Sequence, residues 1–226
     1  MAKKILIILT STDKMGDTGK PTGWYLPELA HPYKVLVEAG FEMDSISPKG
    51  GKSPVDPGSV EAYKDDPVCQ WFHKDDKAQA LVNSTKTAGQ INPSDYVAVL
   101  YPGGHGPMFD LANDATIAEI TSKVFNNGGV VAAVCHGPAG LVPVKINGEP
   151  IVKGRKVTAF SNAEEDAMQL SSAMPFMLET KLKEQGGQFA AAALWQNHVV
   201  VDGKLITGQN PNSAHAIAEA MIALLN

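Results

Sequence analysis

The residues of this sequence with the clearest chemical potential surround Cys135, in Gly128-Gly129-Val130-Val131-Ala132-Ala133-Val134-Cys135-His136-Gly137-Pro138-Ala139-Gly140. Small and β-branched apolar residues read as a buried strand, and the cysteine stands where it stops. Pro138 suits the first turn of a helix, because its missing N–H would be unpaired there anyway. A strand, tight turn and helix with a thiol at the apex has the form of a nucleophile elbow. Helix N-terminal N–H groups favour negative charge, so the expectation is a thiolate with a lowered pKa. The other reading is an inert thiol buried at a strand end. His136 follows directly; in a regular strand the two side chains would point to opposite faces, but on an elbow they need not.

Other groups could join the thiol. Gly103-Gly104-His105-Gly106 follows a second apolar run, and its glycines let the main chain approach a ligand closely. The spacing matches neither the dinucleotide fingerprint nor a P-loop, whose lysine is also missing. His105 either lines a pocket or faces solvent. Glu28 reads by itself as a solvated first-turn acid. Glu164, Glu165 and Asp166 are what a helix N-terminus alone would favour. Cys69, Trp71, Phe72 and His73 read as packing rather than substrate contact. His31, His198 and His215 form no His-x3-His or Cys-x2-Cys pair, so no metal and no cofactor are expected.

Elements must bring these groups together. Near-continuous apolar runs over Lys4–Leu9, Asp95–Tyr101 and the cysteine strand read as parallel strands covered on both faces. Phe41–Ser47 alternates like a further strand, and Lys156–Phe160 reads as another. Helices are predicted over Pro27–Gly40 (kinked by Pro32 and ended by Gly40), Asp114–Asn127, Ala163–Gln169, Pro175–Gln185 and from Asn210-Pro211 to Leu225. Asn147-Gly148 and Asp202-Gly203 signal hairpins. Residues 48–93, rich in Gly, Pro, Asp and Lys, read as an insertion beside the site, with one short helical pattern near Ala78–Val82. Alternating strands and helices predict an α/β fold: a doubly wound, mostly parallel, flavodoxin-like sheet flanked by helices, in one domain spanning 1–226. Its ligand crevice lies at the carboxyl ends of the strands, where Thr10, His105 and Cys135 all fall.

Bulk properties narrow the classes. A chain of 226 residues can bury a substantial core, and a net charge of −5 offers no basic stripe for nucleic acid. The apolar run after Met1-Ala2-Lys3-Lys4 is too short for a signal peptide, and no stretch approaches the roughly 20 residues that span a bilayer. Two cysteines and no sign of secretion predict reduced thiols in a soluble, cytoplasmic protein.

Four stretches together resemble the ThiJ/PfpI group of the class I glutamine-amidotransferase-like superfamily. Ala133-Val134-Cys135-His136-Gly137-Pro138 looks like its cysteine elbow, and Gly23 through Pro32 like the helix carrying its glutamate. Gly103-Gly104-His105-Gly106 with Phe109-Asp110 looks like its oxyanion loop, and Thr207-Gly208-Gln209-Asn210-Pro211 with Ser213-Ala214-His215 matches its C-terminal signature. The resemblance covers essentially the whole chain and is closest to the heat-shock-protein-31 subgroup of glutathione-independent glyoxalases. It implies a Cys135–His136–Glu165 triad, with Glu164 and Asp166 as neighbouring candidates for the acid. It also implies that Glu28 lies against the sulfur, protonated at rest, and shuttles a proton between substrate carbons. Gly104, with Gly103 and His105 beside it, and the His136 N–H would serve the oxyanion. The activity implied is conversion of a small 2-oxoaldehyde, methylglyoxal, to lactate by a homodimer. Hydrolase, amidase or protein deglycase chemistry would use the same triad, and a stress chaperone or redox sensor is the non-enzymatic alternative.

Overall fold

The fold is that of a computed structural model, which describes residues 3–226; Met1 and Ala2, which begin the N-terminal stretch read above, lie outside the described residues. In chain order the elements are β1 (Lys4–Ile8), α1 (Leu26–Glu38), β2 (Glu42–Ile46), α2 (Pro57–Ala62), α3 (Pro67–Lys74), α4 (Asp76–Asn83), β3 (Tyr96–Tyr101), α5 (Ala115–Asn126) and β4 (Val130–Val134). There follow β5 (Lys145–Ile146), β6 (Glu149–Pro150), β7 (Lys156–Val157), α6 (Asn162–Ala167), α7 (Leu178–Glu184), β8 (Gln188–Phe189), β9 (Val199–Asp202), β10 (Leu205–Gly208) and α8 (Ala214–Leu225).

The central sheet has the order β2-β1-β3-β4-β10-β9. All its pairings are parallel except β9 on β10, which close the hairpin that Asp202-Gly203 predicts. The strands are apolar throughout because both faces are covered. Ile5, Ile7 and Leu9 pack with α1, α8 and the insertion helices, whereas Leu6 and Ile8 pack with α5 and α7. The chain is thus an α/β protein with a mostly parallel sheet between helical layers. Among the described residues no helix is long and apolar enough to cross a membrane.

α1 turns Leu26, Leu29, Ala30, Tyr33 and Leu36 onto the sheet at the three- and four-residue spacing of a buried helix face. It runs through Pro32, whose missing N–H leaves the Glu28 carbonyl without its helical donor. Gly40, at φ +87°, ends it as expected.

Two expectations need correction. Residues 48–93 hold three helices, not one short pattern. Asp56, Asp66 and Asp75 each cap one of them by accepting backbone N–H bonds, and Pro57 and Pro67 occupy first turns. The two Asp-Pro pairs were helix-start signals inside a stretch whose composition reads as loop. Lys156–Phe160 is not a strand of the main sheet either. Only Lys156–Val157 is extended, and it pairs with β8 in a separate two-stranded ribbon.

Candidate active site

The site forms at the carboxyl ends of β1, β3 and β4, from four separated segments. Cys135 follows β4 directly and has φ +60°, a left-handed conformation that costs a non-glycine residue about 1–2 kcal/mol. Its backbone is held from both sides: its N–H donates to the Gly208 carbonyl (2.9 Å) and its carbonyl accepts from the Phe160 N–H (2.9 Å). The elbow is therefore real. The helix behind it is not an α-helix, because Gly137–Leu141 makes only a five-residue 3-10 turn.

That difference bears on the thiol. Cys135 is only 4% exposed. Burial, followed by the Glu28 carboxyl beside it, pushes its pKa well above the ordinary thiol value, and the His136 N–H opposes them weakly. The expectation of a pKa lowered by a helix N-terminus is thus overturned. One short turn carries little dipole, and desolvation outweighs it. At neutral pH the group is therefore a thiol rather than a thiolate.

The imidazole of His136 stands next to it. Its Nδ1 lies 3.4 Å from Cys135 Sγ, and its Nε2 lies 2.5 Å from Glu165 Oε2. An ionised carboxylate only accepts, so Nε2 carries the proton and Nδ1 presents its lone pair to the thiol. Burial, followed by the neighbouring His105, lowers the His136 pKa to about 4, keeping the ring neutral. Glu165 is held well below the usual carboxylate range: burial alone would raise it, but His136 and the hydrogen bonds from both histidine rings prevail.

The three adjacent acids have separate partners. Glu164 Oε2 accepts from the Ser161 N–H and hydroxyl, completing a capping box on α6. Its Oε1 accepts from the Trp195 N–H (3.0 Å), Gln209 Nε2 (3.1 Å) and Asn210 Nδ2 (2.8 Å), so this carboxylate fastens the Gln209-Asn210 segment to α6. Asp166 accepts from the Ser171 hydroxyl on the surface. Only Glu165 faces His136.

Glu28 is the second neighbour of the sulfur. It sits in the first turn of α1 yet is fully buried. Its Oε2 accepts from the Gly103 N–H at 2.7 Å, while Oε1 has no hydrogen-bond partner among the described residues and Cys135 lies beside the carboxyl. Burial raises its pKa to about 8, against the neighbouring Cys135 thiol and the Gly103 hydrogen bond. The solvated-acid reading of Glu28 is excluded.

The glycine loop divides its work differently from the expectation. The Gly103 N–H is spent on Glu28, so it is not an oxyanion donor. A Cβ there would stand 2.6 Å from the His136 nitrogen and 2.7 Å from Glu28 Oε2. Gly104, at φ +85°, makes no hydrogen bond through its N–H among the described residues, which leaves that group for a ligand. His105 is nearly buried, with Nε2 2.8 Å from Glu165 Oε1 and its ring 4.1 Å from that of His136. Asp110 anchors the loop to the end of β1, accepting from the Thr10 hydroxyl (2.8 Å) and the Ser11 N–H (2.7 Å).

Sequence reasoning missed an aromatic surround. Phe160 lies 4.5 Å from the His136 ring and Trp195 5.6 Å from Phe160. Tyr25, half-buried at the start of α1, packs edge-on against Tyr63 of the insertion at 6.0 Å. Burial raises the Tyr25 phenol, with Tyr63, Glu28 and Cys135 adding to it. No motif marks these residues; the one available signal was that residues 48–93 lie beside the site. Phe72 is fully buried against Trp24 and Tyr33, a packing role as expected.

Among the described residues two groups bring three potential metal ligands together: His105, His136 and Glu165, and His31, Asp66 and Cys69. In the first, both carboxylate oxygens already accept from the two rings. In the second, Asp66 accepts from the Val68 and Cys69 N–H groups and from His31. Both are satisfied as hydrogen-bonded clusters.

Comparison with known proteins follows the same outline. The model of the DJ-1/PfpI family matches residues 22–224. The glutathione-independent glyoxalase HSP31 of Saccharomyces cerevisiae is 33% identical over 234 residues, covering 99% of this chain and 98% of the relative. Among solved structures, the 24 kDa Rapid Encystment Protein of Francisella tularensis superposes with a TM-score of 0.94 at 37% identity, covering 99% of each chain. Glyoxalase III of Candida albicans superposes with a TM-score of 0.90 at 32% identity, covering 98% of this chain and 97% of the other. This chain belongs to the DJ-1/PfpI family.

Proposed function

We propose that the protein is a glutathione-independent glyoxalase that converts methylglyoxal and similar small 2-oxoaldehydes to 2-hydroxy acids through a covalent adduct on Cys135. One observation carries this reading: the enclosed thiol stands between a neutral imidazole and a buried carboxylic acid. Amide hydrolysis needs the cysteine and the imidazole but has no use for a protonated Glu28 at the sulfur. Moving a proton between neighbouring carbons needs both an acid and a base. The names of the full-length relatives support the same class.

The groups account for every proton. Cys135 sulfur adds to the aldehyde carbon as His136 Nδ1 takes the thiol proton and passes it to the new alkoxide, which lies beside the Gly104 and His136 N–H groups. His136 then removes the proton on that carbon while Glu28 gives its own to the neighbouring ketone oxygen, forming an enediol. Imidazolium protonates the second carbon as the first hydroxyl returns a proton to Glu28. The product is a thioester, with both side chains restored. Water, activated by His136, releases the 2-hydroxy acid and the thiol. Enclosure of the sulfur suits a small carbonyl better than a peptide. A single domain spanning residues 1–226, acting as a homodimer in the cytoplasm, completes this reading.

The test is lactate formation from methylglyoxal without glutathione, in the wild type and in Cys135→Ser. The wild type turns over and the variant loses roughly a thousandfold or more. A wild type that makes no lactate but cleaves amide substrates would establish the hydrolase reading instead.

A further inference from the structure

We propose that His105 is a positioning residue for the reaction, the fourth member of a Cys135–His136–Glu165–His105 array, rather than a substrate or oxyanion contact. This rests on the catalytic reading above. Glu165 has two carboxylate oxygens, and each accepts from a histidine ring: Oε2 from His136 at 2.5 Å and Oε1 from His105 at 2.8 Å. Among the described residues no other group donates to either oxygen. With His136 alone, the carboxylate would be free to turn about its last side-chain bond, and the imidazole it steers would turn with it. The second donor fixes the carboxylate plane and thereby the line from His136 Nδ1 to Cys135 sulfur. Such partners of a catalytic acid act through geometry and are felt at the reacting atom.

The burial of His105 agrees with this role. Its side chain is 12% exposed, against 1% for His136, and its ring packs at 4.1 Å on the His136 ring, tilted by 41°. Since Nε2 donates to Glu165, that nitrogen is already engaged and is not free to meet a substrate. His105 also sits one residue after Gly104, whose free N–H awaits an oxyanion, on a loop tied to β1 through Asp110 and Thr10. The same loop therefore sets both the oxyanion donor and the orientation of the acid. A substrate that displaces the loop would disturb both together.

The experiment compares His105→Gln with His105→Asn. A glutamine amide reaches the place of Nε2 and can donate to Glu165, whereas an asparagine amide stops near the place of Nδ1. For methylglyoxal turnover, Asn should lower kcat by about tenfold to a hundredfold with KM within about twofold, and Gln should recover to within about threefold of wild type. Alkylation of Cys135 by iodoacetamide at neutral pH, read by mass on the peptide carrying Cys135, should follow the same ranking. That arm needs no glyoxalase activity: if wild type makes no lactate, the glyoxalase reading fails while the ranking of alkylation rates still decides the role of His105. Equal behaviour of the two variants, or a rise in KM with kcat unchanged, would overturn the proposal.

Discussion

Two carboxyl groups flank the same thiol, and their surroundings drive them to opposite states. Glu28 comes from α1 into an apolar pocket with one backbone donor, and its pKa rises to about 8. Glu165 comes from α6 with a histidine on each oxygen, and its pKa falls below the usual range. Both lie in the first turn of a helix and both are buried, so neither dipole nor burial alone separates them. What separates them is the number and kind of hydrogen-bond donors. The site thereby holds an acid on one side of the sulfur and, through Glu165, a neutral base on the other.

The sharpest way to break the contrast is to neutralise each carboxyl without changing its shape. Glu28→Gln removes the proton donor and should cost roughly a thousandfold in kcat, whereas Glu165→Gln only misorients His136 and should cost roughly a hundredfold. Both are read with methylglyoxal. Equal losses would mean that the two carboxyls do the same work, and a Glu28→Gln enzyme near wild-type rate would remove its acid role.

Part of this arrangement is legible in the sequence. Continuous apolar runs identify the parallel strands, and glycine or cysteine at their carboxyl ends locates the crevice. Asp202-Gly203 gives the hairpin, and Gly40 the helix stop. The choice among Glu164, Glu165 and Asp166 is not legible from spacing. About 100° of helix rotation per residue sends Glu164 to Gln209 and Asn210, Glu165 to His136 and Asp166 to solvent, and the partners come from distant segments. The states of Cys135 and Glu28 are hidden for the same reason. A helix-start argument sees only local dipoles, while desolvation depends on distant segments such as Trp24, Phe72 and Phe160, which share a core cluster with Cys135. Lys156–Phe160 fails as a main-sheet strand because β10 takes the place beside β4.

A smaller effect sharpens the comparison through stability. Between pH 4.5 and about 8 the folded protein keeps the Glu28 proton that the unfolded chain releases, so this contribution is full below 4.5 and lost as pH rises. His136 works in the other direction: its contribution is present above 6.5 and lost as pH falls towards about 4. Between 6.5 and 8 Glu28 acts unopposed by His136. Denaturant unfolding there should show wild type losing stability relative to Glu28→Gln by up to about 1.4 kcal/mol per pH unit. Parallel curves for the two proteins would contradict the raised pKa.

Carbon NMR titration of side-chain-labelled glutamate addresses the opposed states themselves. One carboxyl signal, absent from Glu28→Gln, should titrate with a midpoint near pH 8. A second, absent from Glu165→Gln, should stay in its ionised position down to about pH 4, where His136 begins to protonate. Two signals that titrate together below about pH 5, as ordinary carboxylates do, would contradict the account.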